Sequence, residues 1–134
     1  MDQQNQEKKS DGIESSRIQL SEDGIVMIKT DKEMDTEILK VIVSEFKKIA
    51  KDLPAKPKIL IDISSSLPTP SYLFRKTTVD VLADVYKDPG FGKMALWGKG
   101  AVVKVVALFI LAATGLKNVQ HFGTEKEALD WLNN

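Results

Sequence analysis

The stretch Lys58-Ile-Leu-Ile-Asp-Ile63, KILIDI, decides the fold. Its apolar, β-branched-rich residues lack the polar alternation of a half-exposed strand. Turn-forming residues bound it, Pro54 and Pro57 before and the hydroxyl- and proline-rich segment Ser64 to Ser71 after. Such a run reads as a central strand covered on both faces, the habit of parallel sheets.

Working outward, Asp35 to Leu53 is the clearest helix. Ile38, Leu39, Ile42, Val43, Phe46, Ile49, Ala50 and Leu53 form one stripe at helical spacing, and Asp35 is placed to cap its start. Before it, RIQL-SEDG-IVMIKT reads as two strands joined by a turn at Gly24. After KILIDI, Tyr72 to Lys87 forms a second helix with Phe74, Val81, Leu82 and Val85 inward. KMALWG is a strand, a third helix closes at Gly115, VQHF is the last strand, and GTEKEALDWL is a final helix with a Thr124/Glu127 capping box. The predicted class is α/β in the order β-β-α-β-α-β-α-β-α: a mixed, mostly parallel five-stranded sheet with four helices, the first strand joining antiparallel. Residues 1–16 are polar and low in aromatics and are predicted to be a disordered tail, leaving 17–134 as a single domain.

Composition excludes several functions. Nineteen basic residues balance nineteen acidic ones, which argues against nucleic acid as the main partner. With no cysteine and one histidine, His121, there is no thiolate chemistry and no metal site needing two imidazoles from one chain. The longest apolar run, Val105 to Ala113, falls short of the roughly 18–20 residues of a membrane span. No secretory signal is visible at the N-terminus, so the expected location is the cytoplasm. No cofactor and no catalytic constellation can be assembled, so the chain reads as a non-enzyme.

Two regions are candidates for function. The segment after KILIDI lies at the carboxyl end of a parallel strand and leads into a helix N-terminus, a place that favours anions. Asp62, Ser66, Thr69 and Ser71 are its candidates for phosphorylation or anion binding, although the same residue types serve equally as loop and capping residues. The third helix is the second region. On a helical wheel, Val102, Val106, Phe109 and Ala113 face the core, whereas Lys104, Ala107, Leu108, Leu111 and Gly115 face away. An outward side with two leucines and one charge calls for a cover: a neighbouring subunit, a flexible element, a membrane surface or an apolar ligand, or, within the monomer, the next helix or the N-terminal segment. Trp97 and Tyr72, at the same end of the sheet, join Lys104, Leu108 and Leu111 as a candidate ligand or partner surface.

ILIDIS at 59–64, KMALWGKG at 93–100 and above all VQHFGTEKEALDWL at 119–132, with this element order, resemble the STAS fold of anti-sigma-factor antagonists, and more closely its SpoIIAA-like (STAS/Sec14-type) branch. The resemblance spans about Ile18 to Leu132. It implies a regulatory or binding module that acts through protein contacts, self-association through 101–115 included. The Sec14-like comparison implies instead a carrier or sensor of a lipid or other small apolar ligand held between sheet and helices. The antagonists' phosphorylatable serine would correspond to Ser71. Pro70 stands where that motif has aspartate, and no glycine follows within two residues.

Overall fold

A computed structural model of the chain describes residues 17–31, 34–65 and 72–134. The predicted tail, 1–16, lies outside the described residues. The elements follow the predicted order: β1 (Ile18–Leu20), β2 (Ile25–Asp31), α1 (Thr36–Lys51), β3 (Lys58–Ser65), α2 (Tyr72–Lys87), β4 (Lys93–Trp97), α3 (Ala101–Thr114), β5 (Val119–Phe122) and α4 (Glu125–Leu132). The sheet runs β1-β2-β3-β4-β5, with β1 antiparallel to β2 and every other pair parallel.

This sequential strand order settles where the helices go. Each crossover steps to the next strand in the same direction, and crossovers of one hand then place their helices on one face. Strand residues accordingly alternate between two cores. Val26, Ile59, Met94, Leu96 and Val119 pack with Ile42 and Phe46 of α1 and Leu82 and Val85 of α2. Ile25, Leu60 and Ala95 face the other way, onto Ala128 and Leu132 of α4. The unbroken apolar character of KILIDI is thus explained: Ile59 and Leu60, each 1% exposed, fill different cores.

The helix ends are set by local chemistry. The Asp35 side chain accepts the Ile38 N–H at 2.8 Å. Gly115 adopts φ 68°, and its N–H donates to the Leu111 carbonyl, closing α3. Thr124 Oγ1 accepts the Glu127 N–H at 3.2 Å, but Glu127 returns to the Thr124 hydroxyl, not to its backbone, so the capping box is half formed.

The structure corrects two expectations. Ser64 and Ser65 belong to β3, not to a loop: Ser65 pairs with Asp31 after a register shift between Lys29 and Asp31. The rotation of α3 also differs from the wheel. Val105 and Phe109 face solvent, 66% and 58% exposed, while Ala107 is buried and Leu111 packs on the helix-side core. In a helix apolar on every side, only Lys104 marks a face. The small Ala107 is the residue of α3 turned fully inward, 3% exposed.

Candidate ligand cavity

Between the sheet and helices α1–α3 lies a cavity of ≈ 440 Å³. Well-packed interiors hold few voids larger than one water, so this is not ordinary packing slack. It falls within the roughly 300–1,000 Å³ typical of small-molecule sites.

The cavity follows from the side chains that meet there. The inward stripe of α2 is Thr78, Val81, Leu82 and Val85, and that of α3 is Val103, Val106, Ala107 and Ile110. Most are short or β-branched. Among the described residues Phe46 of α1 supplies the one aromatic ring of the lining, with the buried Ile42, Ile59 and Met94. Short and β-branched residues on two of the three helices leave space between them and the sheet.

The lining is polarised. Its deep residues, Ile42, Phe46, Ile59, Val85 and Met94, are buried and apolar. Its polar members are Thr30, Asp31, Asp35, Thr36 and Thr78. Four of them sit where β2 ends and α1 begins, at the carboxyl edge of the sheet, and Asp35 is exposed. These residues form a polar rim at that edge. Three of these groups have structural duties. Thr30 donates to the Asp62 carbonyl at 3.1 Å, bridging the place where the β2–β3 register shifts. Asp31 pairs with Arg17 at 3.1 Å, and Asp35 caps α1.

The residues singled out from sequence scatter around this cavity. Asp62 points to the α4 face, where its carboxylate accepts the Ser64 N–H at 2.9 Å and the Ser64 hydroxyl at 2.5 Å. It is a strand-end residue satisfied by its own neighbours. Ser66, Thr69 and Ser71 lie outside the described residues, as does the side chain of Tyr72. Trp97 pairs in register with Asp62 on the α4 side, against the second core, so it lines no part of the cavity. Its Nε1 is buried without a hydrogen-bond partner among the described residues. Leu108, 47% exposed, faces solvent with Lys104, as the wheel indicated. Leu111 turns inward. Arg75 stacks over the outward Phe109, its guanidinium 5.8 Å from the ring centroid.

His121 is structural. Its Nε2 lies 3.2 Å from the Gly98 carbonyl, and burial, reinforced by the Lys104 charge, lowers its pKa despite that hydrogen bond. It therefore rests neutral near neutral pH. Gly98 is required beside it, since a Cβ there would stand 2.9 Å from Ile63 Cγ1 and 3.2 Å from the Ile63 carbonyl carbon.

Among the described residues no cluster of His, Asp and Glu is arranged to hold a metal, and no helix is long and apolar enough to cross a membrane. Comparison with protein-family models, curated proteins and solved structures finds no match.

Proposed function

We propose that this protein binds a small, elongated apolar molecule of lipid type between its sheet and helices α1–α3, and works by carrying or sensing it. The observation behind this reading is the ≈ 440 Å³ cavity with apolar walls and a polar rim. Filling it removes ligand surface from water at about 25 cal/mol per Å². The proposed role is binding alone, in the cytoplasm, with no cofactor. Kinship with the SpoIIAA-like branch of STAS domains belongs to the same proposal, supported by the element order and the closing segment 119–132. Native mass spectrometry of freshly purified protein tests it. The expected spectrum contains a bound species released by gentle activation; protein that emerges bare and takes up no added lipid contradicts the reading.

A second reading rests on a different observation. Val105, Leu108 and Phe109 form an apolar strip on the outer side of α3. It supports a regulatory module that meets a protein partner or its own copy there. Leu108→Lys with Phe109→Lys then converts a dimer to a monomer in sedimentation; unchanged sedimentation of a wild-type dimer refutes that contact.

A further inference from the structure

The size and run of the cavity carry an inference about the kind of lipid it takes, one that rests on the cavity reading above. Its sheet wall follows β3: Ile59, Ile61 and Ile63 alternate onto the helix side and all line it. At about 3.3 Å per residue, these three mark out roughly 13 Å of apolar wall along the strand. Opposite them stand Val81 of α2 and Ala107 and Ile110 of α3. Ala107 brings only a methyl group to that wall, and Ile110, one turn on, brings four carbons. A water-sized group takes about 30 Å³, and a methylene is of similar size, so ≈ 440 Å³ holds about 15 of them.

We infer that the cavity takes a single-chain lipid, with room for one hydrocarbon chain of about 12–15 carbons, and excludes diacyl lipids. Two chains of dodecanoyl length need far more space than the cavity offers, and forcing them in displaces packed side chains. Up to the limit, each further methylene of one chain exchanges water for an apolar wall. That raises affinity roughly fourfold per methylene. Past the limit, added methylenes stay in water and contribute nothing, so affinity levels off. Ala107 and Ile110 help to set where that break falls.

Displacement of the neutral fluorophore N-phenyl-1-naphthylamine from the full chain tests this, with straight-chain alcohols from octanol to octadecanol as competitors. The expected series climbs and then breaks at about 12–15 carbons. Monododecanoylglycerol is expected to displace the fluorophore, and didodecanoylglycerol to do so more weakly despite its second chain. Ala107→Leu, which adds three carbons to the wall, is expected to move the break to chains about three carbons shorter. Ile110→Ala, which removes three, is expected to move it about three carbons longer, and it decides the matter if the larger side chain at 107 prevents folding. A climb unbroken to octadecanol, a break that stays fixed in the folded variants, or displacement by didodecanoylglycerol at least as strong as by the single-chain form overturns the inference while the cavity reading stands. If neither the fluorophore nor any alcohol binds the wild-type chain, both are overturned.

Discussion

Replacing Val81 by phenylalanine separates an unfilled cavity from an ordinary core by the sign of a stability change. Val81 sits mid-α2, half-buried, with its side chain on the cavity wall. Phenylalanine adds four carbons. In a filled interior, that insertion forces neighbours off their rotamers and destabilises by about 1–3 kcal/mol. With ≈ 440 Å³ of space beside it, the ring has room to enter without displacing Leu82 or Ile110. Each buried methylene-sized group contributes about 0.8 kcal/mol, a ceiling near 3 kcal/mol for four. Partial exposure of the ring and its lost rotamer freedom reduce this to a net gain of about 1–2 kcal/mol. Urea unfolding of lipid-stripped protein, followed by tryptophan fluorescence, reads the change as a higher midpoint at unchanged slope. The same variant is expected to bind N-phenyl-1-naphthylamine at least about tenfold more weakly, because the ring occupies ligand space. A midpoint lowered by 1 kcal/mol or more would refute the reasoning, for it would mean that the layer between sheet and helices is already full.

Other perturbations probe the frame around the cavity. Leu132→Ala on α4, at a site 0% exposed, should cost about 2–5 kcal/mol in urea unfolding without altering fluorophore affinity, since α4 lies on the opposite face of the sheet. Gly98→Ala should destabilise by about 1–3 kcal/mol, because the new Cβ meets Ile63 backbone and side chain with little room to move. Folding lowers the pKa of His121, so the unfolded chain takes up its proton first as pH falls below about 6.5; stability declines across that window down to the folded pKa. His121→Gln should remove that component, seen as a smaller difference between urea midpoints at about pH 7.5 and about pH 5.5.

Features governed by neighbours in sequence were legible. KILIDI announces a strand covered on both faces, and Asp35, Gly115 and Thr124 mark helix ends because each acts within four residues. Features governed by partners distant in the chain were not. The extension of β3 through Ser65 depends on pairing with Asp31, and serines do not signal a strand by themselves. The rotation of α3 escaped the wheel because the helix is apolar all round. Trp97 sits at the expected end of the sheet, but strand alternation turns it to α4 and away from the cavity. The cavity itself is a volume left over by three helices and a sheet, which no single segment encodes. One trace of it was present: Thr78 occupies the inward spacing between Phe74 and Val81, Leu82, Val85, a hydroxyl on a stripe otherwise apolar. The short residues facing it from α3 are a second trace.

Crystals of the lipid-stripped chain equilibrated under xenon pressure test the central claim most directly, since apolar cavities that stay dry take up xenon. The expected result is an anomalous peak between the sheet and α1–α3, within contact of Phe46, Val85 and Met94. Side chains that close that space, with no xenon inside, would contradict the account.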